Sequence, residues 1–140
     1  MLKKILVALF IAVPFAARAE LHIGNVIFKF DSASEFINYE ELAAELETIQ
    51  YPQCERFIIR GHASFKGDAG YNQDLSGQRA RSIVKILQNL GVPSENITIV
   101  ARGIEECDDD QCINNRRAEV VLHERTSWWD RYKCQKQYKK

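Results

Sequence analysis

Apolar and polar positions along the chain alternate between two periods. From Ile23 to Phe30 the apolar residues Ile23, Val26, Ile27, Phe28 and Phe30 include the β-branched and aromatic run Val26-Ile27-Phe28-Lys29-Phe30, which predicts a strand ended by Asp31-Ser32-Ala33-Ser34. Leu42, Ala43, Leu46 and Ile49 then share one helical face, behind Asn38 as a cap with Glu41 three residues later, and Tyr51-Pro52 closes that helix. The dense run Phe57-Ile58-Ile59 suits a strand buried on both faces, running from Arg56 into a turn at Gly61. A polar loop from His62 to Leu75 holds Gly67, Asp68, Gly70, Asn72 and Asp74. Ser76 is placed to cap the next helix, in which Ala80, Ile83, Val84, Leu87 and Leu90 keep the helical period until Gly91 and Pro93 stop it. Ile97 to Ala101 predicts a third strand, Gly103 to Asn115 an acidic loop, and Ala118 to His123 a fourth strand. The alternation implies the α/β class: an α+β sandwich in which a mixed four-stranded sheet carries its helices on one face.

The two ends differ in kind from this middle. Met1-Leu2-Lys3-Lys4 is a positive head, Ile5 to Ala17 is almost wholly apolar, and Ala17-Arg18-Ala19 matches an A-x-A cleavage site. This reads as a secretory signal peptide over residues 1–19, because the apolar run falls short of the roughly 20 residues of a membrane span. Residues 20–125 form one domain by length, with no transmembrane span. Residues 126–140 are an aromatic and basic extension with Trp128, Trp129, Tyr132 and Tyr138; Arg131, Lys133, Lys136, Lys139 and Lys140 follow Arg125 against the single acid Asp130. The extension reads as a short helix whose aromatics cover the sheet edge, with an amphipathic partner-binding segment as the alternative.

Charge narrows the function classes. The chain has 19 basic and 19 acidic residues. Without the leader's Lys3, Lys4 and Arg18 the balance turns slightly acidic, which argues against nucleic acid as a partner. All four cysteines, Cys54, Cys107, Cys112 and Cys134, follow the leader, so an exported chain implies two disulfides with three possible pairings. The short Asp108-Asp109-Asp110-Gln111 spacer favours Cys107 with Cys112, which leaves Cys54 with Cys134. A zinc site is the weaker reading, since no CxxC spacing is present. Asp108-Asp109-Asp110 lacks the spaced oxygens and the glycine of a calcium loop. No metal or cofactor is expected.

Four motifs in order carry a family resemblance: Phe28-Lys29-Phe30-Asp31, Ile59-Arg60-Gly61-His62-Ala63-Ser64, Tyr71-Asn72-Gln73-Asp74-Leu75-Ser76-Gly77-Gln78-Arg79-Ala80 with Gly91-Val92, and Asn115-Arg116-Arg117-Ala118-Glu119-Val120. Together they resemble the OmpA-like, peptidoglycan-associating domain, over nearly the whole chain after the leader. The resemblance implies a βαβαββ fold and a non-catalytic periplasmic module that binds the diaminopimelate residue of the peptidoglycan stem peptide. Such a module tethers or positions envelope components, associated with the outer membrane through an envelope protein partner. It also implies the site. Arg79 matches the arginine that faces the ligand carboxylate, and Ser64 stands where the family has the aspartate that faces the ammonium. Asp31, Asn72 and Arg117 match other positions lining the pocket. Ser64 brings no charge, so the alternative implication is an envelope protein-interaction module with weakened or lost peptidoglycan binding.

The residues carry their own argument beside the resemblance. With Ser76 as cap, Arg79 falls in the first helical turn, where a cation opposes the helix dipole. Local helix stability therefore does not account for it. Asp68 shares the loop with Ser64 as a compensating charge, while Lys66 works the other way. Of Arg116 and Arg117, one is expected to enter the site and the other to pair with an acid such as Glu119. His62 is expected to be structural. His62, Ser64 and Asp68 do not make a catalytic triad, because nothing marks Ser64 as an activated nucleophile.

Overall fold

The computed structural model describes residues 20–105, 113–123 and 127–139. The leader and the Cys107–Cys112 pairing fall outside these residues. The elements are β1 (Glu20–Ile27), α1 (Tyr39–Glu47), β2 (Arg56–Ser64), α2 (Ala69–Asn89), β3 (Ile97–Glu105), β4 (Arg117–His123) and α3 (Trp128–Tyr138). They build one four-stranded sheet in the order β1-β4-β2-β3. β2 and β3 run parallel, and β4 pairs antiparallel with both β1 and β2. The mixed sheet of the sequence reading is therefore present, with β4 inserted between the strands that precede it.

The core lies between the sheet and helices α1 and α2. Val26 and Phe28 at the end of β1, Leu42 and Leu46 of α1, Phe57 and Ile59 of β2, Ala80, Ile83 and Leu87 of α2, and Ala118 and Val120 of β4 pack into a single cluster. The spacing of Leu42 and Leu46, and of Ala80, Ile83 and Leu87, places each set on one side of its helix. β2 is not buried equally on both faces. Phe57 and Ile59 are buried, while Ile58 and Arg60, which alternate with them, are half-buried on the opposite face. Arg60 there joins Glu20 at 2.7 Å and Glu119 at 3.9 Å.

Three boundaries move. β1 begins at Glu20 and ends at Ile27, and Phe28 continues only as an isolated bridge to Phe36. β2 does not turn at Gly61 but runs on to Ser64. The glycine is there for closeness: a Cβ at Gly61 would sit 1.8 Å from the backbone oxygen of Ser76, so only hydrogen lets α2 lie against the strand. α2 begins seven residues before Ser76, capped by Asp68, whose Oδ1 accepts from Tyr71 N at 2.7 Å. The loop shrinks to residues 65–68, turned by Gly67 at φ +94°. Ser76 is buried inside α2, donating from Oγ to the Gln73 carbonyl and accepting from Gly103 N.

The C-terminal helix α3 buries none of its residues. Trp128 and Trp129 are 67% and 59% exposed, so the expected cover over a sheet edge is not formed. The helix is held by the Cys54–Cys134 disulfide and by Arg131 bonded to the buried Glu55 at 2.7 Å. Among the described residues no helix is long and apolar enough to cross a membrane.

Candidate functional site

The C-terminal end of β2, the tight loop after it and the first turns of α2 meet the segment that follows β1. Between them opens a cleft of about 430 Å³. Phe30 and Asp31 come from beyond β1, Ser64 ends β2, Lys66 to Asp68 form the loop, Tyr71, Asn72, Leu75 and Arg79 come from α2, and Arg116 precedes β4. Four of the five ligand candidates, Arg79, Ser64, Asn72 and Asp31, are thus brought together. The fifth, Arg117, is not. Its guanidinium lies 2.8 Å from Glu119 and donates to the Asn114 carbonyl, while Arg116 lines the cleft instead.

Arg79 sits well inside α2 rather than in its first turn, so the dipole argument does not apply to it. It is 1% exposed. Nε donates to the Ser32 carbonyl at 3.0 Å and Nη1 to the His62 carbonyl at 2.9 Å, and the guanidinium lies 5.4 Å over the Phe28 ring. Two backbone segments and one aromatic ring therefore fix the cation's position, and neither bond uses Nη2. Among the described residues Arg79 has no carboxylate salt-bridge partner. Its pKa is lowered to about 10, chiefly by burial and then by the charge of Arg116, with Tyr71 and Asp31 acting in the opposite sense. Arg116 approaches the Phe30 ring at 6.0 Å, and its buried Nε has no acceptor among the described residues.

Asp31 occupies the left-handed region at φ 53° and accepts a short hydrogen bond from the Tyr71 hydroxyl. That bond raises the Tyr71 pKa, with desolvation a smaller contribution. Asn72 donates from Nδ2 to the Lys66 carbonyl at 2.7 Å, which closes the loop beneath the cleft. Ser64 Oγ accepts from Lys66 N at 3.0 Å. His62 is buried below, its Nε2 lying 3.2 Å from Glu119. Sequence reasoning did not single out Tyr71 or Phe30. The available signal for Tyr71 was its place three residues after the true cap, Asp68, which puts it in the first turn of α2 facing the strand end.

The chain matches the family model described as the OmpA family over residues 29–120. It is 34% identical over 112 residues to a peptidoglycan-associated lipoprotein of Brucella melitensis, covering 74% of this chain and 66% of that protein. The chain thus spans just under two thirds of that relative's length. It is 36% identical over 88 residues to outer membrane protein A of Serratia marcescens, covering 61% of this chain and 24% of that protein. The crystal structure of the peptidoglycan-associated lipoprotein from Burkholderia pseudomallei superposes with a TM-score of 0.57 at 30% identity, covering 78% of this chain and 92% of that one. The matched span contains the whole cleft, from Phe30 to Arg116, and the chain belongs to the OmpA family.

Proposed function

We propose that the cleft binds the stem peptide of peptidoglycan through its diaminopimelate residue, and that the protein is a non-catalytic module that tethers or positions components of the cell envelope. The observation that carries this reading is Arg79: a buried guanidinium at the cleft, fixed by two carbonyls and a ring, with no carboxylate partner among the described residues. Burying a cation without a counter-charge is unfavourable, and a ligand carboxylate would supply it. Arg116, close enough to lower the Arg79 pKa, adds a second cation on the same side. Asp31, steadied by Tyr71, is the acid within the cleft that can face the ligand ammonium in the absence of an acid at Ser64. Asp68 lines the cleft too, but one of its oxygens is engaged in capping α2.

The relatives are named as peptidoglycan-associated, which supports the same ligand class. A hydrolytic role finds no support in the geometry. His62 lies against Glu119, and the Asp68 carboxylate caps a helix rather than orienting an imidazole. In this reading residues 1–19 are an export signal, residues 20–125 are the binding domain, and the working compartment is the periplasm. A second reading, a protein-interaction module that has lost the ligand, is favoured by one observation: the cleft has Ser64 and Lys66 where a zwitterionic ligand would be helped by a negative charge.

Co-sedimentation with purified sacculi tests the two. The oxidised wild-type protein should pellet, and Arg79→Ala should weaken binding by about tenfold or more, as expected for a charge-assisted bond. Circular dichroism of the variant separates lost contact from lost fold. Ser64→Asp should tighten binding by up to about tenfold. If wild type stays in the supernatant, the peptidoglycan reading fails and the second one stands.

A further inference from the structure

The helix α3 lies at the other end of the molecule from the cleft. Cys54 and Glu55, which hold it, immediately precede β2, whereas Ser64 at the cleft ends β2 nine residues on. A strand of that length separates them by roughly 30 Å. Arg131 and Cys134, three residues apart, turn one side of α3 toward the body. The helical period puts Trp129, Tyr132, Lys133 and Lys136 on the opposite side. Trp128 stacks on Tyr132 at 5.6 Å and 14° and meets Trp129 edge-on at 4.6 Å. This aromatic cluster is held together yet more than half exposed at both tryptophans. The surrounding charge is one-sided. Residues 127–140 hold five basic residues and one acid, while residues 20–126 hold 11 basic and 18 acidic.

We propose that α3 docks the protein onto an anionic lipid bilayer surface. Indole and phenol rings settle at the headgroup level, where an apolar body and a polar tip are both satisfied, and lysines beside them meet the headgroup phosphates. The acidic body favours this orientation, since it is repelled by the same surface that attracts the helix. An acidic protein partner would meet the lysines and bury the same rings, and the vesicle and polyglutamate titrations below separate it from a bilayer. The disulfide presents the helix at a fixed end of the domain, so bilayer contact and occupation of the cleft do not compete. The inference stands independently of the peptidoglycan reading.

Both tryptophans of the chain are in α3, so intrinsic fluorescence reads the helix alone. The oxidised protein without residues 1–19 is titrated with vesicles of phosphatidylethanolamine and phosphatidylglycerol, and with vesicles of phosphatidylcholine. The expected result is a blue shift of the emission and flotation with the anionic vesicles at low ionic strength, both reduced by salt. Lys133→Glu with Lys136→Glu should weaken flotation by at least about tenfold, given about fivefold per lysine at the surface. Trp128→Ser with Trp129→Ser should weaken it as well. Arg79→Ala should leave it unchanged. Absence of flotation with anionic vesicles at low salt overturns the proposal, as does equal binding to phosphatidylcholine. An equal blue shift with polyglutamate overturns it in favour of an acidic protein partner.

Discussion

At Gly61 one missing methyl group decides how closely α2 can approach the sheet. The nearest obstacle is backbone, the Ser76 carbonyl, which cannot swing aside as a flexible side chain could. Gly61→Ala should therefore destabilise the fold by about 3 kcal/mol or more, read as a lower urea midpoint, because relief requires moving the whole helix. Moving α2 would also draw Arg79 away from the Ser32 and His62 carbonyls, so binding at the cleft should fall together with stability. In the sequence Gly61 looked like a turn glycine, since the run of apolar residues stops there. The reason it is glycine comes from a residue 15 positions away, which no local pattern carries. Arg79 was legible as a candidate, but its lack of a carboxylate salt-bridge partner among the described residues was not, because its neighbours arrive from the β1 end and from β2.

At the level of elements, β2 and β4 are joined by more than their ladder. Arg60 and Glu119 are register partners, and Glu119 also meets Arg117 and His62. Burial pushes the Glu119 pKa up, but the hydrogen bond from Arg117 and the charges of His62 and Arg60 outweigh it and hold the carboxyl below its ordinary value of 4.5. A lowered folded-state pKa means a stabilisation fully present above the unfolded value and lost as pH falls through the folded one. Glu119→Gln should thus cost about 1.5 kcal/mol at neutral pH, with a shallower loss of stability below pH 4.5 than wild type, measured by chemical unfolding across pH. The sequence suggested that one of Arg116 and Arg117 would pair with an acid; strand alternation made it Arg117 and left Arg116 to the cleft. Asn38 shows the same division. It does precede α1, and its Nδ2 reaches Glu41, but its Oδ1 accepts from Ile27 N at 2.8 Å and so ties the helix to β1 instead of capping it.

Among the described residues, one covalent link joins the segment before β2 to the last helix. Cys54 and Cys134 are 80 residues apart in sequence, and in the chain-entropy model such a loop contributes on the order of 4–5 kcal/mol. Removing both sulfurs, as Cys54→Ser with Cys134→Ser, should lower the unfolding free energy by about 2–4 kcal/mol in urea. It should also release α3, since that helix buries no side chain and is otherwise pinned by the Arg131–Glu55 bond. Unchanged tryptophan fluorescence anisotropy in the double variant would mean that α3 stays docked without the bridge. The sequence by itself determined the element types, the one-sided helices, the family and most of the residues gathered at the cleft, because hydrophobic period and short motifs are local properties of the chain. Only the tertiary structure decided where α2 begins, that β4 sits between β1 and β2, that Arg116 rather than Arg117 reaches the cleft, and that the tryptophans of α3 face outward. Each of these depends on which distant segment is nearest, and nearness across the fold is set by packing of the sheet against its helices.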